Sequence, residues 1–293
     1  MVTVRAPATS ANLGSGFDVF GVALDRPADY VRAEPAEETT IQITGIGSRY
    51  IPEDPEKNVI GAVADELGVT AEIHLDNGVR PASGLGSSAA SAAGAALALN
   101  ELYDLGYSRR ELVPVAAEGE AVVAGEAHAD NVAPALLGGF TIVRDDGVTR
   151  VDASLSLVAC LPEIVVSTSD ARGVVPDSVP LSDVVETVGS AATLVTGMHR
   201  NDPGLVGRGL HDEIVTPTRS ALIDGYEAVE EAALAAGATG VTVSGAGPAV
   251  LAVCREEDRL AVASAMVDAF DDVDVDARGF QTRIGDGATV IEE

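Results

Sequence analysis

The chain has 293 residues, with 46 acidic against 18 basic side chains and a formal net charge of −28. A charge of that sign repels a phosphate backbone and so excludes nucleic acid as a partner, and its spread along the chain argues against a disordered acidic tail. Hydrophobic residues make up 46% but aromatics only 3%, with no Trp, so the length suffices for two domains whose cores are built from Val, Leu, Ile and Ala.

Taken in chain order, Val2–Ala6 alternates as a strand does and is followed by a Gly- and hydroxyl-rich loop, TSANLGSGFD (9–18), and an apolar stretch from Val19 to Leu24. Strands are expected at Tyr30–Ala33 and Thr40–Thr44, then a helix over Asn58–Leu67 ending at Gly68, and a strand over Thr70–Leu75 with Asp76-Asn77-Gly78 as its turn. The Ala-rich run from Ser87 to Tyr103 suits only a helix. Ser108 and Glu111 make a capping box for the next helix, which runs towards Gly125 with a kink at Pro114. Gly138-Gly139 precede a strand over Phe140–Arg144. A second α+β segment begins near Leu155–Thr168. It continues with helices over Leu181–His199, Leu205–Arg219 and Ser220–Ala236, strands over Gly240–Ser244 and Ala249–Cys254, a helix over Glu256–Phe270 and a strand near Gly279–Arg283. Strands and helices mix without regular βαβ repetition, which favours α+β, with a domain boundary placed between residues 155 and 156.

Lys57 is the only lysine. Together with the excess of acid, this points to a protein adapted to molar internal salt, where screening removes self-repulsion and a carboxylate surface holds water. Cys160 and Cys254 are isolated, and no C-x-x-C spacing exists, so both read as free thiols in a reducing compartment. The N-terminus MVTVRAPATS carries no apolar segment of signal-peptide type, and the expected location is the cytoplasm. Two long stretches lack charge, 82–100 and 232–254. The first is too rich in Ser and Gly for lipid, and the second is interrupted by Gly245, Gly247 and Pro248.

Three Gly-rich stretches carry the chemistry: TSANLGSGFD, PASGLGSSAA (81–90) and VTVSGAGPAV (241–250). A Gly-rich turn feeding a helix favours phosphate, but the central stretch lacks the Lys of a Walker loop and the third Gly of a dinucleotide fingerprint. In this order the three stretches resemble the GHMP kinases, small-molecule kinases named for galactose, homoserine, mevalonate and phosphomevalonate. The central stretch matches the family's P-x-x-x-G-L-G-S-S-A and the third its G-x-G-P, and the likeness spans nearly the whole chain. RAPATSANLGSGFDVFGVAL at the start and GEAHADNVAPALLGGF at 125–140 are most similar to the branch that phosphorylates L-homoserine in threonine synthesis.

The resemblance implies an α+β fold of two domains. An N-terminal ribosomal-protein-like ATP-binding domain would span 1–155, and a ferredoxin-like C-terminal domain 156–293. It implies ATP held by Pro81, Ala82, Ser83, Gly84, Leu85, Gly86, Ser87 and Ser88, with Asn58 at the adenine and Lys57 in the adenine-side loop. Mg²⁺ would be bound by Ser88 and Glu120; by inspection alone Glu118 and Glu126 compete with Glu120, and only the family register selects it. For the zwitterionic substrate, Arg172 and Arg219 would take the α-carboxylate and Asp18 with Asn12 the α-amine, since planar guanidinium forks suit carboxylates. Asn131 would touch substrate near the transferred phosphoryl, with Thr168 near the reacting hydroxyl. His128 reads as an orienting or structural residue. Asp130 is a possible base, but phosphoryl transfer tolerates its absence, and direct in-line attack is expected. A homodimer is implied by family alone. The rival readings are a shikimate or mevalonate kinase of the same family, whose substrates have no amine for Asp18, and a non-catalytic ligand-binding protein of the same fold.

Overall fold

The strand at the N-terminus extends further than expected, to a ten-residue β1 (Val2–Ala11), so that Thr9, Ser10 and Ala11 of the first Gly-rich stretch lie in it. The computed structural model describes residues 1–124 and 129–292. Glu126 and His128, both weighed above, lie outside the described residues. The apolar stretch at 19–24 and the expected strand at 30–33 are one element, β2 (Phe20–Pro35), whose first half pairs with the end of β1 and with residues 140–142 and whose second half pairs with the start of β1 and with residues 71–76. Next come β3 (Thr40–Gly45), α1 (Val59–Leu67), β4 (Ala71–Asn77), α2 (Ser87–Leu102), α3 (Leu112–Ala124) and α4 (Ala129–Leu137). The hairpin β5 (Phe140–Arg144) and β6 (Gly147–Val151) completes the first half.

Among the described residues the first sheet places a last strand from 289–292 beside β1, then β2, β4 and β3, with β5 and β6 branching from β2 and only the β3–β4 pair parallel. Its strand β11 (Thr289–Glu292) comes from the end of the chain and pairs with β1, so the last residues return to the N-terminal sheet.

The second half begins with β7 (Ser156–Pro162) and α5 (Thr168–Gly173), followed by α6 (Leu181–Arg200), α7 (Pro203–Gly209), α8 (Thr216–Ser220) and α9 (Tyr226–Ala235). It closes with β8 (Ala238–Val243), β9 (Val250–Cys254), α10 (Arg259–Asp271) and β10 (Ala277–Arg283). These strands form an antiparallel sheet, β10-β7-β9-β8. Both its faces are covered, which is why β7 and β9 read as continuous apolar runs rather than alternating ones. Leu157, Ala159, Leu251 and Val253 join the core of the first half, while Val158, Cys160, Val250 and Cys254 face α9 and α10 in a second core. Burial pushes the thiols of Cys160 and Cys254 up to about 12 and about 11, so both are protonated at neutral pH.

Three expectations fail for physical reasons. Pro114 sits in the first turn of α3, where its missing N–H has no intrahelical partner to lose, so it causes no kink. The single helix over 205–219 is two, because the Asp212 carboxylate accepts from the amides of Ile214, Val215 and Thr216 and starts a new turn. The helix over 220–236 likewise begins only at Tyr226. The capping box forms as expected: Ser108 N–H donates to Glu111 Oε2 at 2.8 Å and Glu111 N–H to Ser108 Oγ at 3.3 Å. Among the described residues no helix is long and apolar enough to cross a membrane.

Candidate active site

A cavity of about 540 Å³ lies where the three Gly-rich stretches meet. Their meeting is held by backbone contact. A Cβ on Gly84 would stand 2.4 Å from Ser244 O, and Gly84 O accepts a hydrogen bond from Ser244 Oγ at 2.7 Å. The Asn12 amide donates to Gly245 O at 2.9 Å, and its oxygen accepts from Asp18 N–H at 2.9 Å. One asparagine thus ties the first stretch to the third and fixes the turn that presents Asp18.

Helix α2 opens at Gly86, whose φ of 66° and lack of a side chain leave the first turn without a side-chain cap among the described residues. The amides of that turn have no acceptor on the helix itself, and the helix dipole adds positive potential where they point. Twelve residues of the helix are buried, most of them Ala, so small side chains let this N-terminus sit deep among its neighbours. Pro81, Ala82, Ser83, Gly84, Gly86, Ser87 and Ser88 all line the cavity. Leu85 does not: its side chain is buried in the first core, and its amide donates to Ser83 Oγ at 3.2 Å.

On α3, Glu120 faces the start of α2 and is 3% exposed, while Glu118 is exposed. Ser88 Oγ donates to Glu120 Oε1 at 2.6 Å, and Oε2 is buried with no hydrogen-bond partner among the described residues. Burial, and secondarily the charge of Asp130, pushes this carboxyl up to about 8. A dry carboxylate with an orphaned oxygen beside a hydroxyl and the helix N-terminus fits a hard cation. Among the described residues no three His, Cys, Asp or Glu gather around a metal position, so such a cation would draw its remaining ligands from phosphate and water.

Across the cavity, α5 and α8 bring in the arginines. Arg172 Nη1 pairs with Asp18 Oδ2 at 2.6 Å. Arg219 is buried and donates to Ala171 O and Gly245 O. Both guanidinium groups lie over the Phe17 ring, at 5.3 and 4.9 Å from its centre. Asp18, expected to await an amine, is therefore ion-paired to the arginine expected to await a carboxylate. A zwitterion suits such a pair, because it can take both partners without a net change in charge. Asp130, buried on α4, is pushed up to about 6 by desolvation and then by Asp18.

Asn131 faces the cavity with its amide orientation set. Thr9 Oγ1 donates to Asn131 Oδ1 at 2.8 Å, which leaves the NH₂ group to serve as the outward donor. Thr168, the first residue of α5, lines the same wall. Asn58 lines the far end but is committed locally. Its oxygen caps α1 through Ile60 N–H, and its NH₂ reaches Pro52 O at 2.6 Å, so it shapes that wall beside Tyr50 and Pro52. Lys57 stands at the same rim, paired to Asp54 at 2.7 Å. Thr9, Phe17 and Gly245 were not expected at the site. Thr9 and Phe17 stand in the first Gly-rich stretch and Gly245 in the third, and the proximity of the stretches in space is what gives them their roles.

Comparison with known proteins gives the family. The GHMP kinases N terminal domain matches residues 56–139 and the GHMP kinases C terminal domain residues 194–272. A homoserine kinase of Haloarcula marismortui is 70% identical over 290 residues, covering 99% of this chain and 100% of the relative. The chain belongs to the homoserine kinases of the GHMP family. A homoserine kinase of Methanocella arvoryzae is 50% identical, covering 99% of this chain and 97% of its own. The crystal structure of homoserine kinase from Cytophaga hutchinsonii superposes with a TM-score of 0.91 at 38% identity, over 99% of this chain and 97% of that one. An L. major mevalonate kinase, at 17% identity and a TM-score of 0.76, shares the GHMP fold. The two-domain α+β architecture and the ATP-dependent small-molecule kinase activity expected from the three stretches are those of this family.

Proposed function

We propose that this homoserine kinase transfers the γ-phosphoryl group of ATP to the hydroxyl of L-homoserine, giving O-phospho-L-homoserine and ADP. The observation that carries the substrate assignment is the Asp18–Arg172 pair, with Arg219 beside it, across one cavity from the uncapped N-terminus of α2. The α-carboxylate goes to Arg172 and Arg219, and the α-ammonium to Asp18. The first-turn amides of α2 take the β- and γ-phosphates. Ser88 and Glu120 hold Mg²⁺, which when bound neutralises charge on those phosphates. The hydroxyl oxygen attacks the γ-phosphorus in line as the bond to the β–γ bridging oxygen breaks. The Asn131 NH₂ steadies a phosphoryl oxygen, and Thr168 holds the attacking hydroxyl. A loose transition state asks little of a base, so the proton leaves late, to the transferred group and then to solvent. The setting is the cytoplasm, and the assembly by family resemblance is a homodimer.

The test is a coupled ADP-release assay in high KCl with Mg²⁺, comparing homoserine, mevalonate and shikimate. Turnover is expected with homoserine. Asp18→Asn should raise its KM by about 10²-fold, the loss of a charge-assisted contact of roughly 3 kcal/mol. Equal turnover with mevalonate, or an unchanged KM in Asp18→Asn, overturns the assignment. Abolished turnover in Asp130→Asn, with substrate binding intact, would make Asp130 the base.

A further inference from the structure

Asp29 on β2 is wholly buried and has no part in the chemistry above. Its Oδ1 accepts the amides of Gly78 and Val79, each at 2.9 Å, and its Oδ2 accepts Ser91 Oγ at 2.8 Å. Gly78 and Val79 lead into the phosphate loop, and Ser91 stands on α2 just after the loop has ended. The carboxylate therefore spans the loop's entry and exit. A second strut closes the same base, since Ser87 Oγ donates to Val79 O at 2.8 Å. Desolvation, and secondarily the Asp76 carboxylate on β4, pushes Asp29 up to about 6 against the pull of its three donors, which leaves it an ionised acceptor at neutral pH. A charge in a dry interior is unfavourable unless its hydrogen bonds return the loss, and these bonds go to the two flanks of one loop.

We infer that Asp29 is a positioning residue that clamps the two ends of the phosphate loop, so that the α2 amides stand at the spacing the ATP phosphates need. The inference rests on the reading that residues 81–88 hold those phosphates, and it adds a specific residue that sets nucleotide affinity without touching nucleotide.

Asp29→Asn and Ser91→Ala keep the volume of the site nearly intact and are the variants to compare with the full-length wild type. Val262→Ala, in the second core, serves as a control that loses stability alone. Calorimetric titration with ATP in the presence of Mg²⁺ is expected to show about tenfold weaker binding in Asp29→Asn and a smaller loss in Ser91→Ala, with KM for homoserine unchanged within about twofold. Hydrogen exchange at the Gly78 and Val79 amides should quicken in Asp29→Asn but not in Val262→Ala. Unchanged ATP affinity in both loop variants, or parallel shifts of both substrates' KM values, overturns the clamp while leaving the phosphate-loop reading standing. Failure of the wild type to bind ATP overturns that reading and the clamp with it.

Discussion

Glu120, the proposed Mg²⁺ ligand, works against the fold that holds it. Its carboxyl is pushed from an ordinary 4.5 up to about 8 by burial, so the folded protein favours the protonated form. The sign follows directly. Below pH 4.5 the group is neutral in both states, and as the pH rises towards 8 the unfolded chain gains a stability from ionising that the fold cannot share. At pH 7 the penalty is about 3 kcal/mol, a large share of a domain's net stability. Glu120→Gln keeps the shape and still accepts the Ser88 hydroxyl, so in metal-free buffer it should melt several degrees above the wild type at pH 7–8. The advantage should vanish near pH 4. Turnover should fall by about 10²-fold or more, because a neutral amide is a poor ligand for Mg²⁺. Thermal melts from pH 4 to 8, with assays on the same samples, check both halves; a variant less stable than the wild type at pH 8 would refute the account of the shift.

Among the elements, α2 and the loop before it show what a sequence can and cannot reveal. Gly68 and Gly86 have nearly the same left-handed backbone, φ 68° and 66°, and either reads as a turn glycine. Their surroundings differ. A Cβ at Gly68 meets nothing within 4 Å, whereas one at Gly86 would stand 2.0 Å from Thr9 Oγ1 and 3.0 Å from Asn131 Oδ1. Gly68→Ala should therefore cost only the backbone strain, about 1 kcal/mol, and leave turnover intact. Gly86→Ala must also displace Thr9 and with it the amide orientation of Asn131, so kcat should drop by about 10²-fold. Melting curves and steady-state kinetics of the two variants check the contrast. The helix itself was legible, from its Ala content to its start at Ser87, because local propensity and tertiary packing agree there. Helix α4 was not: Pro134 lies inside it, and the missing N–H releases Asp130 O, which packs against Gly21 instead. Strand β11 was equally hidden, since a four-residue strand gains its meaning only from β1, at the other end of the chain. At the site, residue types were readable but partners were not. Asn58, expected at the adenine, lines the cavity while it caps α1, and Asp18, expected to take an amine, lines it while paired with Arg172.

For the whole molecule, the dominant quantity is the net charge of −28. With 46 acidic and 18 basic residues, most carboxylates have no cation to pair with, and the pairs that do form are largely on the exposed surface, where each contributes little. Self-repulsion at low ionic strength therefore acts on the folded state over a screening length of about 10 Å and is nearly extinguished at molar salt, where that length is about 3 Å. The melting temperature should rise by roughly 10 °C or more between 0.1 and 3 M KCl, as several kcal/mol of repulsion is removed from a chain of this size. Charge, rather than a general salting-out effect, is isolated by repeating the pair of melts near pH 5, close to the sequence pI of about 4.2, where protonation has already relieved part of the repulsion. The salt increment should shrink there. A melting temperature indifferent to KCl at pH 7, or a salt increment unchanged at pH 5, would mean that the acidic surface serves something other than stability in salt.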